Sequence, residues 1–88
     1  MSADEMLEKL GYGKCEDPVD IAFYREIGKN EHFIIFDKED KSVSAWKCCN
    51  CCLNITYKVI NMQELQAINQ KCKELNWINN IEKMEEEK

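Results

Sequence analysis

Between residues 19 and 59 the chain divides into four short runs of strand-like pattern, joined by connections of only a few residues. This succession constrains the fold more than any other feature. A parallel pair needs a crossover of about a dozen residues or more, so these connections leave only antiparallel neighbours. The first run, 19–27, puts Ile21, Phe23 and Ile27 on one face and Ala22, Tyr24 and Glu26 on the other. Gly28-Lys29-Asn30 then has turn chemistry. The second run, 32–37, is apolar on both faces from Phe33 to Phe36, and the third, 42–47, sets Val43 and Ala45 against Ser44 and Trp46. The fourth, 53–59, alternates most cleanly, with Leu53, Ile55, Tyr57 and Val59 opposite Asn54, Thr56 and Lys58.

Helical patterns flank this region. Ser2-Ala3-Asp4-Glu5 has the form of a capping box, Met6, Leu7 and Leu10 recur at helical spacing, and Gly11 can end the helix in the left-handed conformation. This predicts a short helix over 3–10. Asn61 with Glu64 three residues on repeats the box, and Leu65, Ile68, Cys72 and Leu75 form one apolar stripe of a helix over 62–77. The expected fold is α+β: a four-stranded antiparallel meander with a short N-terminal and a longer C-terminal helix packed on one face. Its expected core is Leu7, Leu10, Phe23, Ile35, Val43, Ile55, Tyr57, Leu65, Ile68, Cys72 and Leu75.

With 88 residues, there is room for one small domain over 1–77, followed by a charged tail over 78–88. Trp77, Ile81 and Met84 would extend the helix if the tail continued it. A Rossmann fold, a barrel or a two-domain enzyme is excluded by size. Acidic residues outnumber basic ones by 17 to 12, which argues against direct nucleic-acid binding through phosphate neutralisation. Residues 1–20 hold six acids and two bases, whereas 41–77 hold five bases and two acids. That asymmetry reads either as a solvated surface or as an acidic face for a basic partner. The acidic N-terminus lacks the features of a signal peptide, and no apolar run approaches a membrane span. The expected location is the cytoplasm, where cysteines are thiols or metal ligands.

Cys48-Cys49-Asn50-Cys51-Cys52 is the one unusual cluster. It falls in the connection between the third and fourth runs, with Asn50 at the tip. Two Cys-x-x-Cys spacings overlap there, and such a turn can aim thiolates at one zinc ion. Cys48, Cys49, Cys51 and Cys52 are therefore the candidate metal ligands, in one chain or shared across a homodimer. Against this, Cys15, His32 and Cys72 are isolated, and neighbouring side chains in extended chain point apart. The strand setting does not suit a thioredoxin-like motif. Small loop residues without chemistry are the simpler account, and Cys72 is most simply a buried apolar residue.

Catalytic motifs are lacking: His32 is the only histidine, and three scattered glycines make no phosphate loop. Asp37, Glu39 and Asp40 are interleaved with Lys38 and Lys41, as in a solvated turn. The chain is not expected to be an enzyme. Tyr24, Phe36 and Trp46 on an uncovered sheet face are the candidate partner-binding residues.

From Met6 to Trp77 the chain resembles small uncharacterised proteins encoded by phages and prophages of Gram-positive bacteria. The resemblance is carried by Leu7-Glu8-Lys9-Leu10-Gly11-Tyr12, by Ile34 to Ser44 in the central hairpin, and by Met62 to Gln70 leading to Glu74-Leu75. That family's pattern is not cysteine-rich at 48–52, so the resemblance implies no shared metal site. It implies a bacterial host cell and action by binding, either blocking a host or defence-system protein or capturing a signalling molecule. The leading expectation is a non-enzymatic, anti-defence type of accessory protein. The alternative is a small zinc-binding regulatory or assembly module. Replacing the four clustered cysteines by serine separates them: the first keeps its fold, the second loses it. On this core assignment, Leu65→Ala is expected to cost roughly 2–5 kcal/mol in a denaturant titration.

Overall fold

The computed structural model describes residues 1–78. Helix α1 (Ala3–Lys9) precedes strands β1 (Gly13–Glu16), β2 (Asp20–Ile27), β3 (Asn30–Asp37), β4 (Ser42–Cys49) and β5 (Ile55–Tyr57), and helix α2 (Met62–Glu74) follows. The strands form one antiparallel sheet in the order β1-β2-β3-β4-β5. The meander thus has five strands where four were expected. The additional strand, β1, has no apolar alternation to announce it. It is a short edge strand whose Lys14 pairs with Asp4 at 2.8 Å and whose Glu16 pairs with Lys38 at 2.8 Å. Charge on an edge discourages pairing with other chains.

Local chemistry accounts for the turns. Gly28, at φ 61, takes the first position of the two-residue β2–β3 connection, the position that a type II′ hairpin gives to glycine. In the β3–β4 turn the Asp37 carboxylate accepts from the backbone N–H groups of Glu39 and Asp40, at 2.9 and 3.0 Å.

Both helices start and stop by the same devices. Capping boxes join Ser2 with Glu5 and Asn61 with Glu64. At the end of α1, Gly11 is left-handed at φ 95 and Tyr12 N–H donates to Leu7 O at 3.0 Å. At the end of α2, Asn76 is left-handed at φ 61 and Trp77 N–H donates to Cys72 O at 2.9 Å. These are Schellman ends, and each turns an aromatic residue back toward the core. Asn76 therefore stops α2 short of the expected Trp77. Apart from Ile78, the tail expected over 78–88 lies outside the described residues, including Ile81 and Met84.

The buried cluster joins Leu7, Tyr12, Ile21, Phe23, Ile34, Phe36 and Ala67, with Val43, Ala45, Ile68, Cys72, Leu75 and Trp77 packed against it. Register explains its sheet members. Ile21 lies opposite Phe36 and Phe23 opposite Ile34, and β4 adds Val43 opposite Phe36 and Ala45 opposite Ile34. The rings of Phe23 and Phe36 meet edge to face with centroids 5.8 Å apart.

This register corrects several expectations. Phe36 is fully buried, so it is not part of the uncovered face. β3 is apolar on both sides, and its facing is decided by Ile21 and Phe23 on β2, which put Ile34 and Phe36 inward and Ile35 outward. Ile55 and Tyr57 pair with Cys48 and Trp46, on the outward side of β4, and are 65% and 76% exposed. β5 is shorter than the expected 53–59 because Leu53 belongs to the preceding turn. On α2 the buried line is Glu64, Ala67 and Lys71, and Leu65 is 47% exposed.

The helix faces the core with that line because both charged residues on it are paired. Lys71 binds Asp4 of α1 at 2.9 Å and lies 5.8 Å from the Phe23 ring centroid. Glu64, wholly buried, accepts from the Tyr12 hydroxyl and from Lys58 at 3.0 Å, with Arg25 at 3.5 Å. Arg25 also donates to Leu10 O and stacks 4.7 Å from the Tyr12 ring centroid. Burial by itself would raise the Glu64 pKa, but the Tyr12 hydroxyl, the Asn61 backbone and Lys58 together hold it below its ordinary 4.5. Burial and the Glu64 carboxylate push the Tyr12 phenol well above its usual range.

A carboxyl with a depressed folded pKa stabilises the fold above its ordinary value, and that stability is lost as pH falls through the depressed value. Glu64→Gln should therefore cost about 3–5 kcal/mol at neutral pH, because it leaves the buried Lys58 ammonium and the half-buried Arg25 without their partner. Its stability should also depend less on pH in the acid range, as read by urea unfolding at neutral and acid pH. Tyr12→Phe removes one bond to a charged group and should cost about 1.5–3 kcal/mol. Leu65→Ala, now on an exposed site, should stay within about 0.5 kcal/mol of wild type in the same titration.

Candidate functional site

The sheet has two chemically different sides. Side chains alternate across each strand, and those directly opposite in register share a side. The inner side carries the core and, toward its margins, Lys14, Arg25, His32 and Lys47. The outer side carries Ala22 opposite Ile35, Tyr24 opposite Phe33, Phe33 opposite Trp46, and Tyr57 opposite Trp46. Tyr57 stacks on Trp46 with centroids 4.6 Å apart and planes at 23°. A concavity of about 490 Å³ on this side is lined by Phe33, Ile35, Trp46, Cys48 and Ile55. At its far margin the Tyr24 ring lies over Gly13, where an added Cβ would meet it at 3.0 Å.

Acids close both ends of this apolar strip. Asp20 lies opposite Asp37 at one end of the β2–β3 pair, and Glu26 lies opposite Glu31 at the other. All four share the side of Tyr24 and Phe33, and every Lys and Arg of the five strands falls on the inner side. Like charges directly opposite each other destabilise a sheet. The carboxylates in salt bridges among the described residues are those of Asp4, Glu16 and Glu64, so these four have no cation.

Of the residues proposed from sequence for partner binding, Tyr24 and Trp46 thus lie on the outer side and Phe36 does not. Phe33, Ile35, Ile55 and Tyr57 belong there and were missed. The signal was the double-sided apolarity of β3, which requires a second apolar surface without saying which residues form it.

The cysteines also divide. The β4–β5 connection is a compact turn. Leu53 N–H donates to Cys49 O at 2.8 Å, Cys49 N–H to Asn54 O at 3.0 Å, and Asn50 N–H to Lys29 O at 2.8 Å. Leu53 is left-handed at φ 58, an uncommon state for a branched residue. The turn gathers the sulfurs of Cys49, Cys51 and Cys52 within 4.8 Å of one another, with Cys49 and Cys51 at 2.9 Å. Cys48, one pleat earlier, faces the outer concavity and is not part of the group. The thiol of Cys51 and the backbone of Cys52 and Cys51 lower the Cys49 pKa to about 7, and the same contact raises that of Cys51. His32 stands apart from the group, and burial, then Lys58 and Arg25, lower its pKa. Burial raises the Cys72 pKa, in keeping with its place against the core.

No helix of the described residues is long and apolar enough to cross a membrane. Compared with protein-family models, curated proteins and solved structures, the chain finds no match in any of the three.

Because the outer side adds nothing to the core, its residues can be changed without unfolding the protein. Ile55→Ser should alter stability by less than about 0.5 kcal/mol. Tyr57→Ala, which loses the stack on Trp46, should cost about 0.2–1 kcal/mol. Denaturant midpoints with unchanged slopes check both.

Proposed function

We propose that this is a non-enzymatic binding protein whose outer sheet face captures a basic polypeptide segment bearing an apolar stripe. The observation that carries the reading is the acid-framed apolar strip: Tyr24, Phe33, Ile35, Trp46, Ile55 and Tyr57 between the Asp20/Asp37 and Glu26/Glu31 pairs. An exposed contiguous apolar patch is the usual mark of an interaction site. Large rigid aromatics such as Trp46 and Tyr57 contribute most per residue at an interface. The frame selects the sign of the partner, because cations placed over it remove the repulsion between facing acids. It disfavours nucleic acid and anionic lipid. It also disfavours a second copy of the chain face to face, since that would bring the acids of both copies together.

With the resemblance to phage and prophage proteins, the partner is a host or defence-system protein. Its basic surface, such as one that otherwise holds nucleic acid, would be occupied by this acidic face in the cytoplasm of the bacterial cell. This is an anti-defence or accessory role by occlusion, without chemistry.

A zinc-binding module is the second reading, favoured by the three gathered sulfurs of Cys49, Cys51 and Cys52. Structural zinc takes four ligands, and this turn supplies three. The buried cluster includes none of the three cysteines, so a metal here would add to a fold that stands without it.

The test uses a basic amphipathic peptide and its acidic counterpart, each carrying a fluorophore whose anisotropy reports binding. The basic peptide should bind, more weakly as salt is raised, and the acidic one should not. Reversal of the frame by E26K with E31K should weaken binding at least about 10-fold, and Trp46→Ala about 30-fold, on the scale of interface anchors. Equal binding of both peptides, or concentration-dependent self-association abolished by Trp46→Ala, would overturn the reading.

A further inference from the structure

We infer that Cys49, Cys51 and Cys52 form a three-thiolate site for a thiophilic d¹⁰ metal ion, zinc or copper(I), which clamps the β4–β5 hairpin. Two features of the backbone create the site. In extended chain, neighbouring side chains diverge, which is why Cys48 and Cys49 fall on opposite sides of β4. Beyond Cys49 the chain leaves the strand and closes the turn through Leu53 N–H to Cys49 O. That closure brings the second and third residues after Cys49 round to its own side, so Cys51 and Cys52 join it while Cys48 cannot.

The spacing suits one ion. Three sulfurs each about 2.3 Å from a common centre lie about 3.8–4.0 Å apart. The separations here, 2.9 Å for Cys49 and Cys51 and at most 4.8 Å for any pair, bracket that value. The donor set is sulfur alone: neither His32 nor any Asp or Glu joins the group among the described residues. All-thiolate sites select soft ions over magnesium, calcium or manganese. Copper(I) is satisfied by three thiolates, and zinc would complete its shell with water or an added thiol.

The turn is already tied at both ends, by Asn50 to Lys29 O and by Cys49 to Asn54 O. An ion bridging three of its residues would hold it closed. β5 has only three residues and, among the described residues, pairs with β4 alone, so the clamp would fix the strand that carries Ile55 and Tyr57. This link to partner binding, unlike the site itself, rests on the docking proposal.

The experiment titrates the reduced full-length protein with zinc and, under anaerobic conditions, with copper(I). Native mass spectrometry counts ions per chain, and thiol alkylation reports which cysteines are protected. One ion per chain in either arm is expected, and the arm that binds identifies the ion. Cys49→Ser, Cys51→Ser and Cys52→Ser should each weaken binding by about 10-fold or more, whereas Cys48→Ser should keep wild-type affinity. Circular dichroism should show all four variants folded, because these positions lie outside the buried cluster. Failure to bind either ion would overturn the site. So would one ion per two chains, or equal loss in Cys48→Ser. Peptide binding measured with and without the ion is a separate readout: metal binding with no effect on the peptide would retain the site and remove the clamp.

Discussion

One buried carboxylate ties the elements of this small fold together. Glu64 closes the N-terminal cap of α2, receives the Tyr12 hydroxyl delivered by the end of α1, and faces Lys58 and Arg25 from the sheet side. A charge this deep is tolerated only when its partners are in place together. Each partner depends on a different piece of local structure: the Schellman end of α1, β2, and the segment after β5. The network therefore acts as a check on assembly as well as a source of stability. It also sets the rotation of α2, bringing Ala67 inward and leaving Leu65 at the surface.

The chain divides its chemistry between the two sides of one sheet. Cations and the core share the inner side, where Glu64 answers Arg25, and Asp4 and Glu16 answer Lys14. Unanswered acids and spare aromatics share the outer side. An isolated protein gains little from that second arrangement, since exposed aromatics risk association and facing acids repel. It becomes intelligible if a complementary surface covers the strip.

Much of the fold could be read from the sequence because its signals are local. Both capping boxes, the Gly28 turn, the alternation of β2 and β4 and the antiparallel meander rest on neighbouring residues. What escaped was decided by distant ones. β1 has no apolar pattern and exists because β2 offers it an edge. The facing of β3 depended on β2, since its own residues are apolar on both sides. Ile55 and Tyr57 alternate as core residues do, yet their side was chosen by pairing with Cys48 and Trp46. The rotation of α2 was hidden because a buried Glu and a buried Lys violate the expected apolar stripe. For the candidate sites, Tyr24 and Trp46 were visible from the parity of their strands, and Phe36 was not. The cysteine cluster was conspicuous, but only the turn separates Cys48 from the other three.

The turn at Gly28 has a second consequence, for β3. A strand that is apolar on both sides can slip by one residue and still bury Phe33 and Ile35 in place of Ile34 and Phe36. Such a slip would carry Glu31 to the place of His32, opposite Arg25 and Lys47, so charge alone would not oppose it. The β2–β3 turn opposes it instead: a one-residue shift would make the two-residue connection longer or shorter by one and move Gly28, at φ 61, out of the turn position that needs it. One glycine thus decides which of two apolar faces β3 gives to the core and which it leaves outside.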